Sequence, residues 1–231
     1  MHVVGLAWPL SRSGEMSAPI VGFGTPSWTI FWHGMRVLVI GYALMSLTTV
    51  IDQFFAAHLE TGAIATLGYA NRILALVLGM GTLAISRATL PVFSEAVAHG
   101  KIHRLASRWA TWMFLGGVGV LAILWPLAHW VVKLIFERGA FTEANTGQVA
   151  EMLQLFLLQV PFYFYGLVLV SALTSRKEYF AVTVSGIIGV LCRPLANAIL
   201  VPRMGIEGIA VSAAIGYAAT SAYMAFRMRN R

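Results

Sequence analysis

Long apolar runs separated by short polar punctuation fill most of this chain. A helix that crosses a bilayer needs about 20 predominantly apolar residues. Six stretches meet that requirement: residues 37–57, 64–93, 109–135, 149–173, 180–201 and 206–226. The segments between them carry turn and helix-stop residues. Glu60-Thr61-Gly62 and His99-Gly100-Lys101 are short polar turns, and Glu137 to Glu143 form a polar loop in which Thr142 is placed to cap the following helix. Ser175-Arg176-Lys177-Glu178 makes a further turn, and Pro202 with Gly205 stops the fifth helix. The pattern predicts an all-α membrane protein with about six transmembrane helices in a domain over residues 34–231. Residues 1–33 read as an irregular lead-in, or as what remains of an upstream helix. They lack the basic start of a signal peptide, and Pro9, Arg12 and Glu15 fall too early for its apolar core.

Composition agrees with lipid as the solvent. Of the 231 residues 58% are hydrophobic and 11% are charged, against about 25% charged in a soluble domain. The net charge of +7 would suggest nucleic acid in a soluble protein, but here the basic residues sit in loops between apolar runs. With the N-terminus inside, the inner segments hold Arg12, Arg36, Arg87, Lys101, Arg104, Arg108, Arg176, Lys177, Arg227, Arg229 and Arg231. The outer segments hold only Lys133, Arg138 and Arg203, and Arg72 and Arg193 lie at membrane depth. This bias predicts a multi-pass protein with both termini in the cytoplasm and no nucleic-acid partner. The tryptophans fall mostly near the predicted interfaces, as an aromatic belt does.

Chemical motifs are sparse. The single cysteine, Cys192, lies in an apolar run and allows neither an intrachain disulfide nor a zinc site. His99 and His103 are four apart but lack an acidic third ligand, so they read as loop residues rather than metal ligands. No Walker A, GxSxG, HExxH or CxxC pattern is present, and no catalytic residue, cofactor or metal is expected.

Polar groups within the apolar runs carry the functional signal, because charge in a bilayer core is costly and faces a cavity or a partner. Arg72 follows Tyr69 and Asn71 early in the second helix. It either snorkels to the outer interface or turns inward to bind an anionic group such as a phosphate. Asp52, beside Gln53, reads as an interfacial cap, as a proton or cation site, or as the partner of an arginine. Arg193, with Asn197 one turn on, supplies such a partner and would leave neither charge unpaired. Helix-interior glycines permit close packing, and Gly79 with Gly81 is the best hinge position because the pair interrupts the longest helix. Pro161 kinks the fourth helix, and its aromatic neighbours pack or line a lipid-facing portal.

Several of these segments resemble one family. Val50-Ile51-Asp52, Ala56-Ala57-His58-Leu59 and Gly68-Tyr69-Ala70-Asn71-Arg72-Ile73 are similar to the MurJ/MviN lipid II flippases, in which a Tyr-Ala-Asp-Arg type motif opens a helix. Thr89-Leu90-Pro91-Val92-Phe93-Ser94 resembles that family's Leu-Leu-Pro-Ser segment. The most specific match is Leu134-Ile135-Phe136-Glu137-Arg138-Gly139-Ala140-Phe141-Thr142. Leu195 to Pro202, followed by Gly205, Gly208, Ala210 and Ser212, continues the likeness, which covers about residues 33–231.

The resemblance implies half of a MATE-like helical bundle. Members of the family have about fourteen helices in two halves, and this chain matches the seventh to the twelfth. It implies a bacterial inner-membrane protein of peptidoglycan and cell-wall biogenesis, and so of cell shape. The implied partners are a lipid-linked pyrophosphate-sugar substrate, membrane lipid and an N-terminal half that is missing here. Arg72 matches the family's cavity arginine, which makes pyrophosphate its implied ligand. Asn71 replaces the usual Asp, and Ala75 stands where an acid often follows. Asp52 matches an acidic position linked in some members to cation coupling, and Arg193 stands where the family often has Asn. A fixed cation there implies that a sodium site is lost and that Arg193 takes the place of the ion.

The competing readings are a flippase for another lipid-linked oligosaccharide or polysaccharide, a drug/cation antiporter of the same superfamily, and a truncated remnant that only packs against a partner. A membrane-embedded glycosyl- or acyltransferase would need a paired acid and base. Glu137 and Glu143 are the one close pair of carboxylates, and a salt bridge from Glu137 to Arg138 accounts for the first more simply.

Overall fold

A computed structural model describes residues 32, 35, 47–59, 62–98, 102–139 and 141–230. The chain divides into two compact units, residues 1–42 and 43–231, and the fold below is that of the second. The lead-in expected over residues 1–33, all but Trp32, the first ten residues of the expected 37–57 helix, and the His99-Gly100-Lys101 turn lie outside the described residues.

All regular structure among the described residues is helical. The helices are α1 (Leu47–Ala57), α2 (Ala63–Ala98), α3 (Ile102–Phe136), α4 (Glu143–Leu157), α5 (Val160–Ser175), α6 (Tyr179–Met204) and α7 (Glu207–Arg229). Five segments are long and apolar enough to cross a membrane, with α4 and α5 counting as one, and α1 is a shorter apolar helix. At 1.5 Å per residue, the 36 residues of α2 reach about 54 Å, well beyond a hydrocarbon core of about 30 Å.

The interruption expected at Pro161 is a break between α4 and α5. Proline has no backbone N–H, so the bond that would close on Leu157 is absent. The chain tightens there, with Leu158 N–H donating to Leu155 O and Gln159 N–H to Phe156 O, both at 3.2 Å. Helical bonding resumes when Tyr163 N–H reaches Gln159 O at 2.9 Å. Thr142 stands at the N-cap of α4 as expected, but its side chain makes no capping bond, and Glu143 supplies the negative charge of the first turn.

Helix α5 is the centre of the bundle. It packs against α2, α3 and α7, and Val160, Val168, Ala172 and Leu173 are fully buried. Two glycines allow the close approach. The side chain that Gly81 lacks would overlap the Phe164 ring, and a Cβ on Gly117 would stand 2.6 Å from Pro161 Cα. Helix α2 runs unbroken through Gly79 and Gly81, so Gly81 serves packing in this conformation. Helices α6 and α7 form a tight hairpin turned at Gly205, whose φ of 64° suits glycine, and Gly208 lies against the backbone of Leu200 and Val201. Outward, Trp112, Ile123, Trp130 and Leu134 of α3 and Phe180, Leu191 and Leu195 of α6 are exposed. An apolar surface of this extent fits lipid rather than water.

Gly117→Ala is expected to lower the detergent melting temperature through overpacking of about 1–3 kcal/mol, whereas Gly116→Ala, which meets open space, leaves it unchanged. Thermal scans of the two purified variants compare them directly.

Candidate functional site

Three charged or amide side chains from two helices meet inside the bundle. Asp52, on α1, is 4% exposed. Arg193 Nη2 lies 2.5 Å from Asp52 Oδ2, and Asn197 Nδ2 donates to Asp52 Oδ1 at 2.9 Å. Arg193 and Asn197 are one turn apart on α6, so they present to the same side of that helix. Asn197 is fully buried, and its Oδ1 accepts from Ser212 Oγ on α7. Ser212 Oγ also reaches Ile209 O at 2.8 Å, and its single proton serves one acceptor at a time.

The cluster continues toward the centre of the bundle. Gly216 faces the Arg193 stem, and a Cβ there would make ordinary contact with Arg193 Cβ at 3.6 Å. Arg193 Nε is buried without a hydrogen-bond partner. Nearby, Tyr217 packs edge-on to Tyr163 with centroids 5.3 Å apart, and Tyr163 Oη lies 2.9 Å from Thr82 Oγ1 on α2.

The Asp52–Arg193 pairing raised from the sequence is thus present, with Asn197 joined to it. Ser212 was not singled out as a site residue, since its meeting with Asn197 depends on the register of the α6–α7 hairpin. Both carboxylate oxygens of Asp52 are engaged by side chains of α6, one of them a guanidinium that already balances the charge. This donor set does not fit a sodium ion.

The second candidate site lies at the start of α2. Arg72 is exposed, its guanidinium carbon is 5.6 Å from the Tyr69 ring centroid, and it makes no ion pair among the described residues. Tyr69 is held edge-on by Phe136 at 4.9 Å and Phe141 at 5.2 Å. Those rings come from the end of α3 and the following loop, so the loop fixes the platform under Arg72. Asn71 is half-buried on the same helix. Beside Tyr69 opens a cavity of about 530 Å³, lined also by Thr66, Arg138, Phe141, Asn145 and Gln148. The structure does not bring Arg72 to the Asp52 cluster.

One local expectation is corrected. Glu137 does not pair with Arg138. Its carboxylate lies 3.4 Å from Lys133 Nζ and accepts from Thr146 Oγ1 at 2.9 Å, while Arg138 donates to Ile135 O at 3.0 Å. A residue four positions back lies over the same helix face, and an immediate neighbour does not.

Comparison with known proteins places this geometry. The family model described as lipid II flippase MurJ matches residues 6–231. A probable lipid II flippase MurJ of Bdellovibrio bacteriovorus is 24% identical over 234 residues, covering 93% of this chain and 45% of that protein. Among solved structures, a lipid II flippase MurJ in an inward closed conformation superposes with a TM-score of 0.76 at 21% identity, over 86% of this chain and 43% of that one. An outward-facing MATE family multidrug resistance transporter of the MOP superfamily gives 0.64 at 16% identity, over 81% and 42%. The chain therefore spans less than half the length of these proteins, and the structural likenesses establish the fold.

Asp52→Leu alone is expected to destabilise the bundle by about 3–5 kcal/mol, because it strands a buried guanidinium. Asp52→Leu combined with Arg193→Leu should recover most of that loss. Thermal unfolding of both single variants and the double variant closes the cycle, and additive losses would show that the pair is not coupled.

Proposed function

The chain belongs to the lipid II flippase MurJ family, and from that premise we propose that it forms half of a transporter for a lipid-linked peptidoglycan precursor in the bacterial cytoplasmic membrane. A second bundle, facing the exposed side of α2, completes the cavity. Both termini lie in the cytoplasm, as the distribution of Lys and Arg favours.

The observation that carries this reading is Arg72. It is an exposed guanidinium on a membrane-spanning helix, without an acidic partner among the described residues and seated against an aromatic ring. Arg72 shares its face of α2 with Leu76, Met80 and Leu83, which are 63%, 72% and 60% exposed. A cation on an otherwise apolar face suits an amphiphile with an anionic head. The planar fork of arginine matches pyrophosphate in bidentate fashion. Tyr69 limits the rotamers of Arg72, and Asn71 offers an amide to the same headgroup.

Transport follows by alternating access. The headgroup enters the cationic cavity while the lipid tail stays in the bilayer, and the two bundles rock about the site. Gly79, Gly81 and the α4–α5 break at Pro161 are the positions that absorb the bending. The Asp52–Arg193–Asn197 cluster holds α1 to α6 and α7 through the cycle, with the guanidinium as its permanent cation.

The test is complementation of cells depleted of their own lipid II flippase, with this chain alone and joined to a family N-terminal half. Rescue is expected, and Arg72→Ala should abolish it at equal membrane abundance. Failure of both the chain alone and the joined protein despite correct insertion would overturn the transport reading. Flipping measured in vesicles should be unchanged when sodium is replaced by potassium, and a sodium requirement would refute the role given to Arg193.

A further inference from the structure

At the opposite end of the bundle from Arg72, helices α3, α5 and α7 enclose a groove that the transport reading leaves unused. Its volume is about 520 Å³, within the range of clefts that hold small ligands. Tyr165 and Leu169 of α5 are part of its lining, together with Ala225, Phe226 and Met228 of α7. Its polar lining is His103 and Ser107 from the first two turns of α3 and Arg229 from the last turn of α7.

Charge at this end is predominantly basic. Arg104 and Arg108 are exposed beside the groove on α3. Arg227, two residues before Arg229, has Nε buried with no hydrogen-bond partner. Helix α3 begins here with no acid in its first turn, so the positive end of its dipole is uncompensated locally. Two acids stand toward this end, Glu95 near the end of α2 and Glu178 between α5 and α6, and Arg176 already holds Glu178 at 2.9 Å.

From an apolar trough closed at one end by basic and hydroxyl groups, we infer that this groove binds an anionic phospholipid of the leaflet it faces. The headgroup phosphate sits among His103, Ser107 and Arg229, and an acyl chain lies along Tyr165, Leu169 and Phe226. A neutral zwitterionic lipid places an ammonium group among the same cations and is disfavoured. Basic pockets between transmembrane helices on the cytoplasmic side select lipids in this way. The side named rests on the orientation proposed above; the chemistry of the groove does not.

The full chain, purified and incubated with equal amounts of phosphatidylglycerol and phosphatidylcholine of matched acyl chains, is read by native mass spectrometry. One phosphatidylglycerol should be retained in preference to phosphatidylcholine. Arg229→Gln should weaken that retention about fivefold, the worth of one basic group near an anionic surface. Ala225→Trp, which fills the trough, should remove it. Arg203→Gln, at the other end of α6, should leave it unchanged. Equal retention of the two lipids, indifference to Arg229→Gln and Ala225→Trp, or an equal loss with Arg203→Gln would each overturn the proposal. So would displacement of phosphatidylglycerol by a polyprenyl pyrophosphate at lower concentration, since the groove would then serve the transported lipid. Retention requires no transport, so failed complementation leaves this result standing, and the converse also holds.

Discussion

The buried Asp52 carboxylate takes its charge partner from the largely covered Arg193 guanidinium, and the arrangement of α1, α6 and α7 depends on that meeting. Hydrocarbon supplies no hydrogen bonds, so a polar group within the membrane must find its partners inside the protein. Asp52 uses both oxygens on α6, and α6 in turn uses Asn197 to engage α7. The α6–α7 hairpin must keep its register for Asn197 to meet Ser212. Gly208, pressed against the backbone of Leu200 and Val201, is what lets the two helices come that close. One electrostatic requirement thus becomes a steric one at a glycine a single turn from Ser212.

The other half of the bundle is organised by shape rather than charge. Pro161 breaks the helix and then lies against Gly117, and Phe164, one turn later, fills the space left by Gly81. The break and its packing partners are a single unit, since straightening the chain at Leu158 would carry Phe164 away from α2. The aromatic platform packs by shape as well, with Tyr69 edge-on to both Phe136 and Phe141.

What the sequence disclosed follows from what lipid demands. Span positions were legible because a bilayer fixes both length and apolarity, and the break near Pro161 because proline lacks a donor. Its location three residues upstream was less so, since the loss is felt in the preceding turn. Asp52 and Arg193 could be matched as buried opposites, and Asn197 by its place one turn from Arg193. Ser212 was hidden, because no local pattern sets the register of α6 against α7. Glu137 was assigned to its sequence neighbour Arg138, but helix geometry gave it to Lys133, four residues back. The groove among His103, Ser107, Tyr165 and Arg229 left no trace in the sequence, as it joins three helices far apart along the chain.

The permanence of the Arg193 cation has an electrical consequence. An ion that binds and leaves carries charge across the membrane field, and each elementary charge moved through 100 mV is worth about 2.3 kcal/mol. Arg193 and Asp52 move together, if they move at all, as a neutral dipole. Carried together along the field they move no net charge, so an axial shift of α6 is silent to voltage. Any sensitivity to membrane potential then falls on charges outside this pair, the exposed guanidinium of Arg72 on α2 among them.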